Sequence, residues 1–350
     1  MSARVARPMR FRLANASLLI AVIAAASVHT SESQATDARA QARADDVLRR
    51  EGEAVIALAD RAMSGRQPPP DFPMTWRNDF LKAQPGTFVP FTVTVDVAVR
   101  SLPGALMYVR VVSRDVGADK RRATAPYPYE TIFPLEYDDA GSQPVRIQRG
   151  FAIAPGHYTV YVVVRERISE SRGRRDPGPK ASVLVQGLDV PDFWTGELTT
   201  STVILADRLE TLSAPIPPAR LEKDPYVVGS SRIYPASGTA FRRGSELVVV
   251  FLIYNPRVGT DKQFDVQVDY HLYRKNREGE RYVTRTNPQR FNPSMMGPYF
   301  DPASGQPVLA GQGILLSEFE AGEYRLGITV TDLVARKTVS RDVAFSVVGS

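Results

Sequence analysis

The chain has no cysteine and only three histidines among its 350 residues. The first absence excludes thiol nucleophiles, CxxC redox chemistry, cysteine metal ligands, disulfide staples and a lipidated cysteine anchor. The second leaves little for acid–base or metal chemistry, because His29 lies near the start and only His157 and His271 remain for the body of the chain. Also absent are a GxSxG elbow, HExxH, a GxxxxGK phosphate loop and a GxGxxG turn after a strand. No catalytic residue can be named, and no cofactor is expected. With no disulfide to rely on, stability has to come from core size, and some 300 residues suffice for two ordinary domains.

Long apolar runs are scarce too. The one candidate, Leu13 to Val28, follows Arg4, Arg7, Arg10 and Arg12 and is shorter than the roughly 20 residues a helical span needs. A basic start, a short Ala-rich apolar stretch and small residues at Ala24–Ala26 or at Ser33-Gln34-Ala35 predict a signal peptide over residues 1–35. An uncleaved anchor is the alternative. After cleavage no transmembrane segment is expected, and the location is the periplasm or the extracellular space. The net charge of +6 falls to +3 without residues 1–35, with 40 basic and 37 acidic residues left. Nucleic-acid binders concentrate basic charge on one face, so no nucleic-acid partner is expected.

What is present is periodicity. Residues 36–66 read as a helical segment, with Leu48, Val55, Leu58, Ala59 and Ala62 near helical spacing and Gly52 weakening the middle. The thin apolar stripe suits docking on the domain that follows. From about Asp71 the period changes to two. Phe91, Val93, Val95, Val97 and Val99 alternate with polar residues, one buried face and one wet face. Further strands are expected at 106–112, 129–137, 145–153 and 181–188, with Val160, Val162 and Val164 in phase on another. The pattern then recurs. AGEYRLGITVTD at 321–332 parallels APGHYTVYVVVR at 154–165, each a small-residue turn, Gly-x-Tyr and alternating apolar residues. That is the signature of a tyrosine corner, with Tyr158 and Tyr324 buried and their hydroxyls bonded to backbone a few residues upstream.

The fold expected is therefore all-β: two tandem immunoglobulin-like antiparallel β-sandwiches, residues 71–192 and 195–350, preceded by a signal peptide and a short helix. FVPFTVTVD (88–96), VPDFWTGELTTSTVILADR (190–208), VFLIYNP (250–256) and EAGEYRLGITVTD (320–332) give the chain a family likeness. It resembles a group of exported bacterial proteins with tandem immunoglobulin-like β-sandwich domains, to which no activity is assigned. The resemblance implies fold and export and supplies no site.

The candidate chemistry is sparse. On the strand FDVQVDYHLYRK (264–275), Asp269 and His271 share the polar face about 7 Å apart, a possible pair of metal ligands. Zinc uses three or four ligands, and the plain alternative is the solvated face of an antiparallel strand, so no metal is expected. His157 falls in the corner turn. Asp138, Asp139, Asp301, Glu318 and Glu320 are carboxylates in turns or strand ends, matching acid–base or calcium chemistry by type only. Basic clusters at 120–122, 165–175 and 274–290 read as soluble loops and protected edges, or as contacts for an anionic envelope component. Tyr127, Tyr129, Tyr299 and Phe300 offer a sugar-stacking surface or pack down their loops.

The function expected is a non-catalytic binding or scaffold protein of the cell envelope, with loops 115–128, 168–180 and 286–312 as contact surfaces and an envelope protein or glycan as partner. Two alternatives stay open: a carbohydrate-binding or carbohydrate-hydrolysing protein, and a chaperone-like module that exchanges β-strands. A long unprotected edge strand would favour the last. For export, N-terminal sequencing of the envelope-fraction protein should place the mature start between Ser27 and Thr36. Recovery of a chain that still begins near Met1 would contradict the signal peptide.

Overall fold

The computed structural model describes residues 31–84, 86–96, 104–115, 126–135, 144–167, 178–260, 263–296 and 300–349. The proposed signal sequence up to residue 30, Val97, Val99, Asp138, Asp139, Tyr299, the cluster at 120–122 and most of loops 115–128 and 168–180 lie outside them. Residues 1–49 and 50–350 form two compact units. Helix α1, Ser31–Met63, begins in the first and ends in the second. It starts earlier than the pattern suggests, and Gly52 does not interrupt it. A Cβ on Gly52 would lie 3.3 Å from the Ile132 side chain, so the small residue serves close helix–sheet approach. No helix of the described residues is long and apolar enough to cross a membrane.

The rest is mostly β. The first strands are β1 (Met74–Asn78), β2 (Leu81–Lys82), β3 (Thr87–Val95), β4 (Ala105–Ser113) and β5 (Tyr129–Leu135). They are followed by β6 (Val145–Ile153), β7 (Gly156–Glu166) and β8 (Ala181–Val190). One sheet holds β1-β3-β2 with β6 on β3, and the other runs β5-β4-β7-β8. Val89, Phe91, Val93 and Val95 of the first face Met107, Val109, Val111, Val160 and Val162 of the second in one core. The other face of β4 is buried as well. Leu106 and Tyr108, with Val163 and Val183, pack under Val55 and Ala59 of α1. The Arg110 guanidinium, 3% exposed, pins that helix by pairing with Asp60 and with Glu130 of β5.

The chain then forms β9 (Thr199–Thr200), β10 (Ile204–Thr211), β11 (Val227–Val228), β12 (Ser231–Pro235) and β13 (Ala240–Arg242). Next come β14 (Glu246–Tyr254), β15 (Val266–Asn276), β16 (Gly279–Arg285) and β17 (Gln289–Phe291). The last are β18 (Val308–Leu315), β19 (Gly322–Asp332) and β20 (Lys337–Val348). One sheet is β11-β12-β10-β14-β18 with β9 on β14, and the other is β13-β20-β19-β15-β16 with β17 on β15. A second core fills the space between them, from Leu247, Val249 and Phe251 across to Val268, Tyr270, Leu326 and Ile328. The two cores divide the strands into two lobes. Strand order repeats from lobe to lobe: β3–β6 against β5-β4-β7-β8, and β14–β18 against β16-β15-β19-β20.

Both corner tyrosines are found as expected. Tyr158 and Tyr324 are 6% and 2% exposed, and each hydroxyl donates to the carbonyl four residues upstream, of Ala154 at 3.0 Å and of Glu320 at 2.8 Å. Gly156 and Gly322, two positions before each ring, sit at φ 150° and 153°, where a side chain is strained. The wet face expected on β3 is absent at Thr92, which is 5% exposed because the second lobe covers it.

Removing only the hydroxyl in Tyr324→Phe should cost roughly 0.5–1.5 kcal/mol, and removing the ring in Tyr324→Ala roughly 3–5 kcal/mol. The same order is expected at Tyr158. Urea denaturation of the full chain measures both, and near-neutral alanine variants would show that neither corner matters.

Candidate functional site

The structure scatters most of the sequence candidates. His157 Nδ1 lies 2.8 Å from Asp189 Oδ1 in an exposed surface pair. Glu320 pairs with Arg274. Tyr129 stacks on Phe151 and its hydroxyl donates to Glu222, while Phe300 packs on Phe264, so both pack down rather than present a platform. Loop 286–312 contains β17, a helical turn at Pro293–Met296 and the start of β18.

Asp269 and His271 do share the outer face of β15. Asp269 accepts a hydrogen bond from Gln267, and His271 stands opposite Gly327 and Arg285. The Arg325 guanidinium next to them is paired with Glu280 and Asp342. Among the described residues no group of three or more His, Cys, Asp or Glu is placed to hold a metal ion. The missing Cβ of Gly327 leaves a shallow dip of about 220 Å³ bordered by His271, Tyr273, Arg325 and Asp342.

The larger site lies where the lobes join. Leu81 and Phe193 meet Leu252 and Tyr254 in a small core of their own. Around it run hydrogen bonds from lobe to lobe. Phe80 N–H donates to Thr202 Oγ1, Thr202 N–H to the Phe80 carbonyl, and Lys82 N–H to the Tyr254 hydroxyl. Asn255, at φ 55°, accepts from Lys82 Nζ and donates to the carbonyls of Phe193 and Glu197. Asn tolerates this left-handed geometry better than most residues, and the Asn-Pro pair in VFLIYNP is its sequence trace. Arg77 and Arg146 donate to the Ala236 and Pro235 carbonyls.

Deepest in the joint, Tyr226 donates its hydroxyl proton to Asp79 Oδ2 at 2.9 Å; the two residues are 3% and 1% exposed. Burial pushes the Asp79 carboxyl up to about 6, against the opposing pull of Arg77 and of the Tyr226 hydrogen bond. Sequence reading missed both, since an isolated Asp and Tyr 147 positions apart carry no local signal.

Beside the joint opens a cavity of about 470 Å³. Phe80, Pro191, Asp192 and Phe193 line one side, the hydroxyl-rich stretch Thr199–Thr202 with Val203 a second, and Arg341 to Ala344 of β20 a third. Arg341 is half-buried, and burial lowers its pKa. Its guanidinium donates to the Ser340 carbonyl at 3.0 Å and to Thr199 Oγ1 at 3.3 Å, both neutral. No carboxylate pairs with it among the described residues. The chain matches no protein-family model and no curated protein.

A carboxyl whose pKa is raised on folding binds its proton more tightly in the folded state. The stability it contributes is full below about pH 4 and is lost as pH rises through about 6. Relative to Asp79→Asn, the wild type should therefore gain roughly 2 kcal/mol between pH 8 and pH 4. Denaturant titration of both proteins across that range measures it, and a pH-independent difference would contradict the buried carboxyl.

Proposed function

We propose that the protein is an exported, non-catalytic binding module of the bacterial cell envelope, in which two tandem immunoglobulin-like β-sandwiches hold a ligand groove between them. The sandwiches are residues 71–192 and 195–350, behind a signal peptide over residues 1–35. The repeated strand order and the paired tyrosine corners support the immunoglobulin-like reading. So does the resemblance to exported bacterial proteins of this build.

The observation that carries the binding reading is the cavity beside the joint. The fold places a guanidinium with no carboxylate partner among the described residues, a row of hydroxyls and two phenyl rings around one concave space. Ligand sites combine these properties: largely apolar walls with a few polar groups fixed in direction. The expected partner is an envelope protein or glycan.

A photo-crosslinking residue at Ala344 or Thr199, at the groove, should capture more material in intact cells than one at Glu278 in the distant β15–β16 hairpin. Equal or no capture at the three positions would overturn the groove as the site.

The dip at Gly327 favours a second reading, carbohydrate binding. Tyr282, half-exposed, stands 5.8 Å from Tyr273 and 6.2 Å from His271 beside it, and exposed rings next to charged hydrogen-bonding groups suit sugar faces. Capture of glycan at Tyr282, with none at Ala344, would select it.

A further inference from the structure

Each lobe covers only part of this outer edge, and at opposite ends. In the first, the chain itself covers the start of β8, from Ala181 to Val183. Asp71 N–H donates to the Ala181 carbonyl, Ala181 N–H to the Asp71 carboxyl, Phe72 N–H to Ser182 Oγ, and Gln67 Nε2 to the Val183 carbonyl. In the second lobe the equivalent strand is β20. Its outer edge is paired only at its end, where β13 meets Ser346 to Val348. From Lys337 to Phe345 no strand lies on that side among the described residues. The large cavity opens against this stretch.

Which backbone groups face it follows from strand alternation. Ser346 N–H donates outward to the Thr239 carbonyl, and the Val348 carbonyl accepts outward from Arg243 N–H. In an antiparallel strand every second residue points both its N–H and its C=O the same way. Ala344, Asp342 and Ser340 therefore aim theirs outward from the edge, and Asp342 and Ala344 line the cavity. The Ser340 carbonyl is taken by Arg341, while those of Asp342 and Ala344, with their N–H groups, have no partner among the described residues. Unpaired edges of this length are a template for another strand and are usually blocked.

We propose that the open edge of β20 accepts an extended polypeptide segment as an added strand, with an acidic side chain of that segment at Arg341. This rests on the binding reading above and names its partner as a peptide. Backbone pairing supplies affinity in this mode, and side-chain pockets supply choice. Here the partly exposed Phe80 and Val343 take apolar side chains, and the Arg341 guanidinium, held by two neutral oxygens, takes the carboxylate.

The probe is the acetylated, amidated hexapeptide Thr-Val-Glu-Val-Thr-Val, with a twin carrying Gln in place of Glu, added to the ¹⁵N-labelled full chain. The Glu peptide should shift the Asp342 and Ala344 amide resonances and slow their hydrogen exchange. Arg341→Gln should weaken the Glu peptide by about tenfold or more, the factor expected for a lost charge-assisted hydrogen bond, and leave the Gln twin unchanged. Ala344→Pro removes only an outward N–H, which edge strands tolerate, and should abolish binding of both peptides in a protein that still folds.

Peptide-induced shifts elsewhere, or none at millimolar peptide, would overturn the proposal. So would concentration-dependent protection of the same amides without peptide, since the edge would then hold a second copy. Crosslinks at Ala344 in cells together with an unresponsive edge would sink only the strand-addition idea. A responsive edge without crosslinks at Ala344 would sink only the envelope-binding reading.

Discussion

The contact between Asp79 and Tyr226 sets what the two lobes can do together. Each residue comes from a different lobe, and each is almost fully out of water. A buried carboxyl without a donor would cost several kcal/mol; here one hydroxyl and a nearby guanidinium offset part of that cost. Such an arrangement persists only where surrounding packing holds the partners together, and the apolar contact of Leu81, Phe193, Leu252 and Tyr254 supplies that packing. The joint is thus a packed and hydrogen-bonded seam, and the groove lies against it.

The seam also explains the burial of β3. A strand with alternating apolar residues ordinarily keeps one face wet. On β3 the second face meets the other lobe, so Thr92 is buried while its neighbours Phe91 and Val93 keep their place in the core. On β4 both faces are buried for a different reason, since α1 covers Leu106 and Tyr108. The matching outer face of the second lobe carries Asp269, His271, Tyr273 and Arg325 instead. Repetition of strand order therefore did not bring repetition of surface: one lobe binds its own helix, and the other leaves that face to solvent.

What the sequence made legible was local. Alternation located β3 to β8 and, in the second lobe, β15 and β19, while β16, β17 and β18 fell in stretches read as charged or loop; the Gly-x-Tyr repeat located both corners down to the direction of the hydroxyl bonds. These signals rest on neighbours within about ten positions. Helix α1 was placed, but Gly52 was misjudged, because helix propensity weighs a glycine by its backbone freedom and not by the side chain of Ile132 that needs the room. The joint was invisible for the opposite reason. Its partners lie 122 to 173 positions apart in the hydrogen bonds of Phe80 with Thr202 and Lys82 with Asn255, and no periodicity links them. The cavity inherits that invisibility, being lined from three separate stretches of chain.

The β20 edge of the second lobe is open between Lys337 and Phe345 among the described residues. An exposed strand edge invites aggregation unless something limits access. Along β20 the limiting features are the Thr199–Thr202 segment opposite, the Arg341 guanidinium reaching across to Thr199, and the Lys337–Glu197 ion pair at one end. They border the edge on the side where the cavity opens. In the first lobe the segment at 67–72 covers only the start of the matching edge, at Ala181 to Val183. The cavity brings together the Arg341 guanidinium, held by neutral oxygens, the Thr199–Thr202 hydroxyls and the backbone edge at Asp342 and Ala344, features that come from separate stretches of chain and meet only in the fold.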